Sequence, residues 1–337
     1  MTRSPDPPIR KLLIATHHRL DLWIAPDWFA DRLRKAFPQL EVMRLTTYEG
    51  IEKQLADADI AFTFSIRPEQ FAEARRLRWI HSPAAAVHQF LFPELVNSDV
   101  ILTNAREVHG PVVAEHVMAV IFALAKRIPQ SVRFQQEHLW GQEILWQNHA
   151  APAEVAGALL GMVGLGSIGR NVAKRASAMG MKVICVRQHS SGGKPDGVDE
   201  VLPSSMLNEM LARADYVVLA APVTPATRGM IGRQQLSQMK RDSYLINVGR
   251  GPLIDEAALT EALRERKIAG AALDVFDQEP LPADSAFWDL DNLLITPHTA
   301  GMTTKLWERH YTLFSENLRR FVNGGPLLAV VDKQRGY

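Results

Sequence analysis

The string Gly164-Leu-Gly-Ser-Ile-Gly169 and its setting constrain this chain more than any other feature. An apolar run, Leu159-Leu-Gly-Met-Val163, precedes it; a helical pattern over 170–179 follows, and then a second apolar run over 182–187. A lone G-x-G-x-x-G carries little. Between a strand and a helix, however, it describes a turn that aims unpaired helix N–H groups and a partial positive charge at an anion. Gly164 permits the tight turn, Gly166 lets the backbone approach a pyrophosphate, and Gly169 lets helix and strand pack closely. With Ser167 and Ile168 between them, these residues are candidates for holding a dinucleotide.

The residue that ends the second strand selects the dinucleotide. A carboxylate there accepts hydrogen bonds from the adenine ribose, but this chain has Arg187, followed by Gln188, His189, Ser190 and Ser191. A guanidinium with its planar fork of donors suits a 2′-phosphate, so NADP is the expected cofactor, with NAD possible. The plainer reading, an exposed arginine with no ligand, stays open.

Three further segments end apolar runs with side chains that do chemistry. Leu245-Ile-Asn-Val-Gly-Arg-Gly251 presents Arg250, and Ala272-Leu-Asp-Val-Phe276 runs on to place Asp274 and Glu279. Leu294-Ile-Thr-Pro-His298 ends in a histidine. In an open α/β sheet, ligands bind at the carboxyl ends of strands, so these side chains can converge. Taken singly, each has a duller reading: a surface arginine, a solvated carboxylate, a core histidine. Their joint placement favours a site.

Composition narrows the partners. Lys and Arg number 38 against 37 Asp and Glu, a formal charge of +1, so no long-range field draws the chain to nucleic acid or an anionic membrane. The longest uninterrupted apolar stretch, 117–125, is about half a bilayer span and reads as a buried helix. Cys185 is the only cysteine, which excludes an internal disulfide and a cysteine cage, and points to a reducing, cytoplasmic setting. The histidines lack carboxylate or cysteine partners at ligand spacing, so no metal is expected. His116, at the start of a long helix, is read as structural or as the wall of a cleft. No G-x-S-x-G occurs, which removes a serine hydrolase.

Strand-like and helix-like blocks alternate, which predicts an α/β fold with parallel sheets. Strands are expected over 11–16, 41–45, 60–64, 78–81 and 100–103, with helices over 26–37, 67–77, 112–126 and 131–143. A last helix over 303–321 carries Trp307, Tyr311, Phe314, Leu318 and Phe321 as one apolar stripe, and returns to the first domain. The segment 190–195 is the expected flexible loop.

These motifs make the chain resemble the D-isomer-specific 2-hydroxyacid dehydrogenase family. The resemblance extends from about Val100 to Gly301 through Thr103-Asn-Ala, Val113-Ala-Glu-His116, the glycine string, Pro222, Asn247 to Gly251, Asp274, Glu279-Pro-Leu and Thr296-Pro-His298. It implies two doubly wound parallel-sheet domains. A Rossmann dinucleotide-binding domain, 106–299, is inserted in a flavodoxin-like substrate domain made of 1–105 and 300–337. It also implies catalytic roles for Arg250, Glu279 and His298, cofactor contacts from Pro222, Val248 and Gly249, and Asp274 on the nicotinamide carboxamide.

The implied reaction reduces a small 2-oxo acid, or oxidises the 2-hydroxy acid, by hydride transfer. Where the family's substrate loop reads Gly-x-Gly-Val-Asp, this chain has Ala84-Ala-Ala-Val-His88, so backbone amides of Ala84 and Ala85 are the expected carboxylate donors. By the same resemblance, the 112–126 and 131–143 helices, with Trp140 and Trp146, form a homodimer interface. Formate-type relatives pair the histidine with glutamine, and Glu279 argues against them. A dinucleotide-sensing corepressor of the same fold shares the triad and stays an alternative.

Overall fold

A computed structural model describes residues 9–147, 151–188 and 193–336. The chain divides into two compact units, Met1–His109 with Met302–Tyr337, and Gly110–Gly301. Both divisions fall slightly later than the sequence suggests, the first of them inside a helix.

In the first unit the strands are β1 (Lys11–Ala15), β2 (Glu41–Leu45), β3 (Ile60–Thr63), β4 (Trp79–Ser82) and β5 (Ile101–Asn104). They pair in parallel in the order β2-β1-β3-β4-β5, the flavodoxin-like arrangement. Four of the five strands are almost wholly buried, as expected when helices cover both faces. The last helix, Leu306–Val322, buries Trp307, Phe314 and Leu318 in this core with Phe29, Phe62 and Trp79. The Phe314 ring lies edge-on to Phe62 at 4.8 Å and stacks on Trp79 at 5.1 Å. The stripe seen in the sequence is therefore the inner face of this helix.

Two imidazoles share that core. His81 is fully buried with Nδ1 against Thr103 Oγ1 at 2.8 Å, and His310 is fully buried with no hydrogen-bond partner on either ring nitrogen. Burial pushes the His81 ring down to about 3. Burial, joined by the nearby His109 and His81 rings, pushes His310 well below its usual range. In an unfolded chain both titrate near about 6.5. Folding therefore favours the neutral rings. Their contribution is complete above pH ~6.5 and is lost as the pH falls below it, by up to about 1.4 kcal/mol per pH unit for each ring.

Urea denaturation is thus expected to show stability that is level near pH 7.5 and falls steeply below 6.5. His310→Phe, which removes two unpaired buried nitrogens, should flatten that fall. Parallel acid losses in the parent and this variant would refute the account.

The second unit holds β6 (Leu159–Val163), β7 (Lys182–Arg187), β8 (Glu200–Pro203), β9 (Tyr216–Leu219), β10 (Tyr244–Asn247), β11 (Gly270–Leu273) and β12 (Leu293–Ile295). All pairings are parallel, in the order β12-β11-β10-β9-β6-β7-β8. The order reverses between β6 and β9, and that switch point is where the glycine string lies. Cys185, inside β7, is buried and burial pushes its thiol up to about 12, which makes it an inert core residue.

Two helices differ from expectation. The one predicted over 112–126 runs Arg106–Ala125, with Pro111 inside its first turns. At 20 residues it is long and apolar enough to cross a membrane by composition, yet 56% of its most apolar window is buried in the fold. The single helix predicted over 131–143 is instead two, Ile128–Gln136 and Gln142–Gln147. His138 turns into the left-handed region with φ 54°, Leu139 N–H returns to Phe134 O at 2.8 Å, and Gly141 presses on the Phe134 ring. A β-carbon at Gly141 would stand 2.2 Å from that ring, so the break is built around the glycine.

Candidate active site

The glycine turn has the form the sequence predicts. Gly164 adopts φ 96°, and a β-carbon on it would come within 2.8 Å of Ala220 O on the neighbouring strand's loop. Any other residue would be strained as well as crowded there. A β-carbon at Gly169 would strike Gly164 O at 2.3 Å, so helix and strand are as close as the motif requires. Gly166 is exposed and a β-carbon there would meet nothing within 4 Å. The helix Ser167–Ala178 thus opens onto free space at its N-terminus, and this cradle fits a dinucleotide pyrophosphate. Ser167 is buried, and Ile168 is half-buried against the core.

Arg187 ends β7, half-buried, with Nη2 donating to Gly193 O at 3.1 Å. Gln188 next to it is exposed. Ser190, with the first half of the loop expected over 190–195, lies outside the described residues. Pro222 is exposed after β9, its carbonyl accepting from Thr227 Oγ1 at 2.7 Å.

The three strand ends meet in the second unit. After β10, Asn247 Oδ1 accepts from Gly249 N–H at 3.0 Å and its amide donates to Arg250 O at 2.9 Å, which folds 247–250 into one turn. Val248 is buried in that turn. At Gly251 the backbone runs against the Phe276–Asp277 peptide so closely that a β-carbon would sit 1.9 Å from Phe276 C. This contact brings the β10 turn and the loop after β11 together. Arg250 is half-buried; desolvation lowers its pKa, and the Glu279 carboxylate nearby acts against that. Its Nη1 donates to Gly249 O at 2.7 Å, which orients the guanidinium.

Glu279 splits its oxygens between two tasks. Oε1 accepts from Phe276 N–H at 3.0 Å, which ties the side chain to its own loop, and Oε2 meets His298 Nδ1 at 2.6 Å. His298 is exposed, so its other nitrogen is free for solvent or a ligand. Its backbone stands at φ 54°, the left-handed region uncommon for a side-chain-bearing residue.

Asp274 is buried and already occupied. Its Oδ1 accepts from Thr296 Oγ1 at 2.6 Å and Thr299 N–H at 2.8 Å, and its Oδ2 accepts from Ala300 N–H at 3.0 Å. Close by stands His116, with Nε2 4.0 Å from Asp274 Oδ1. No pattern in either segment pairs these two; the fold supplies the carboxylate beside His116. Ala84 and Ala85 belong to the other unit. There Ala84 N–H donates to Ser82 Oγ at 3.2 Å, and Ala85 O accepts from Asn104 Nδ2 at 2.7 Å. Among the described residues no group of three or more His, Cys, Asp or Glu could hold a metal.

The model of the D-isomer-specific 2-hydroxyacid dehydrogenase NAD-binding domain matches residues 118–300. A glyoxylate reductase from Korarchaeum cryptofilum is 32% identical over 317 residues, covering 92% of this chain and 89% of that protein. A D-3-phosphoglycerate dehydrogenase from Methanocaldococcus jannaschii is also 32% identical, over 85% of this chain, which spans only 54% of that longer protein. Among solved structures, an NADPH-dependent glyoxylate/hydroxypyruvate reductase from Sinorhizobium meliloti, in complex with NADP and sulfate, superposes with a TM-score of 0.80. It is 28% identical, and the match covers 97% of this chain and all of that one.

Proposed function

The chain belongs to the D-isomer-specific 2-hydroxyacid dehydrogenase family, a family of NAD(P)-dependent oxidoreductases, and from that premise we propose that it reduces a small 2-oxo acid of the glyoxylate or hydroxypyruvate kind to the D-2-hydroxy acid with NADPH. The observation that carries this reading is the 2.6 Å pairing of His298 Nδ1 with Glu279 Oε2, beside the half-buried Arg250. Gly164, Gly166, Ser167, Ile168 and Gly169 would hold the dinucleotide, which when bound would supply a hydride for the carbonyl carbon. Every other task falls to side chains.

Arg250 clamps the substrate carboxylate and polarises its carbonyl with a planar pair of donors. His298, with Nδ1 committed to Glu279, presents Nε2 and gives its proton to the carbonyl oxygen; in the reverse direction it takes that proton back. Glu279 fixes the ring plane and balances the imidazolium charge. In this reading the unit Gly110–Gly301 binds the dinucleotide and the other unit is the substrate domain. In the latter, the backbone amides of Ala85 and, once Ser82 yields it, Ala84 are donors for a carboxylate.

Arg187 and Gln188 hold the 2′-phosphate, so NADPH is preferred. The test is turnover of a panel of 2-oxo acids with NADPH and NADH, in the parent and in Arg187→Asp. The parent's kcat/KM is expected to favour NADPH by about tenfold to a hundredfold, less at high salt, with the ratio lost or inverted in the variant. Equal use of both dinucleotides sinks the role of Arg187. Dinucleotide binding without turnover of any 2-oxo acid sinks the enzyme itself, in favour of a sensing role.

The working form in this proposal is a homodimer in the cytoplasm. Trp140 is 88% and Trp146 75% exposed, and Ile128, Val132, Leu139 and Ile144 are exposed with them. Apolar area of this kind concentrated on one pair of helices suits a second copy of the same chain. Light scattering at micromolar concentration is expected to give twice the 37.6 kDa chain mass, and a monomer refutes it.

A further inference from the structure

His116, Thr296 and Asp274 come from three elements and meet beneath the turn that carries His298. Thr296 follows β12, Asp274 follows β11, and His116 stands on the helix Arg106–Ala125. The Thr296 hydroxyl has a single proton, and the 2.6 Å contact to Asp274 Oδ1 uses it. Toward His116, whose Nε2 lies 3.3 Å away, the same oxygen therefore accepts, which requires the ring to carry its proton on Nε2. Burial lowers the His116 pKa, with Asp274 acting against it, so the neutral ring with one N–H is the form that fits.

The carboxylate at the far end of this chain of donors accepts from Thr296, Thr299 and Ala300. Those three residues surround His298, which holds a left-handed backbone at φ 54°. For a residue with a β-carbon, that conformation is strained and persists only where neighbours impose it.

We infer that His116 is a positioning residue for the reaction: by donating to Thr296 it keeps the hydroxyl on Asp274 and so holds the 296–300 turn in the shape that aims His298 at its substrate. The inference rests on the proposed role of His298. Packing alone would ask only for an apolar side chain of similar size at position 116, and a ligand contact would ask for nothing of Thr296. The relay asks for a donor at 116 and a hydroxyl at 296, and that difference is measurable.

The test uses the full chain with His116→Leu, Thr296→Val, their double variant, and the conservative pair His116→Gln and Thr296→Ser. Gln places an N–H near the Nε2 position, and Ser keeps the hydroxyl. In protein without ligand, hydrogen exchange at the Thr299 and Ala300 amides should be about tenfold faster in the Leu and Val variants and near the parent's in the Gln and Ser variants. In the reduction assay, kcat should fall about tenfold in the same two variants, with KM for NADPH within about twofold of the parent. The double variant should be no worse than either single change, because both cut one chain of bonds.

Unchanged exchange at those amides overturns the inference. So does a raised KM with kcat intact, which would make His116 a ligand contact, and so does a Gln variant no better than Leu. If His298→Asn keeps full turnover, the proposed role of that histidine falls, while the exchange data still decide whether the relay holds the turn.

Discussion

Replacing His298 with asparagine is expected to lower kcat for 2-oxo acid reduction by about 10³-fold while leaving the Kd for NADPH unchanged. General acid catalysis by a positioned side chain contributes about 10²–10⁴ in rate, and proton delivery belongs to the chemical step rather than to binding. Asparagine suits the experiment because its short polar side chain tolerates the left-handed backbone at φ 54°; a β-branched residue would confuse lost chemistry with a distorted turn. Fluorescence titration of NADPH and steady-state kinetics together separate the two. A variant with parental kcat would show that the proton comes from elsewhere.

Removal of the Arg250 guanidinium should be comparably severe. Arg250→Met keeps the length and apolar stem but loses the fork of donors that meets the substrate carboxylate. Charge-assisted hydrogen bonds contribute about 1.5–3 kcal/mol each, so a two-bond clamp amounts to about 10²–10⁴-fold in kcat/KM. Arg250→Lys keeps the charge but not the plane, and should fall between the parent and Arg250→Met. The neighbouring contacts supply a control. Arg250 stands beside Glu279, which also pairs with His298. The Met variant should therefore be checked for a parental melting temperature before its kinetics are interpreted. A folded Met variant within about threefold of parental kcat/KM would contradict the clamp.

What the sequence made legible was local. The glycine turn, the parallel α/β layers and the order of the strand ends follow from short patterns in which each residue's role depends on its close neighbours. Glu279 and His298 are 19 residues apart, and each could be placed from the apolar run before it. The missed features are of a different kind. His116 and Thr296 are 180 residues apart, and no pattern in either segment names the other as a partner. The buried pair His81 and His310 is equally silent in sequence, since a histidine on the inner face of a strand or helix looks the same whether its nitrogens are satisfied or not. The split near Gly141 did leave a trace, the glycine itself, but the amphipathic spacing on either side masked it. The start of the helix at Arg106 was hidden by Gly110 and Pro111, residues that ordinarily end helices, yet the helix runs on through Pro111, its sixth residue.

The contact at Gly251 governs how this chain can be recombined with its relatives. With a β-carbon position 1.9 Å from Phe276 C, the turn after β10 and the loop after β11 are cut to one another like adjoining stones, without a layer of side chains to absorb a mismatch. A chimera whose crossover falls between 252 and 275 would join a turn from one parent to a loop from another, and any difference in loop length or backbone path would be transmitted to Arg250 on one side and Glu279 on the other. Crossovers before 244 or after 301 would carry both pieces together. Active recombinants of this family should therefore inherit 244–301 as a single block, even where the flanking helices are freely exchanged.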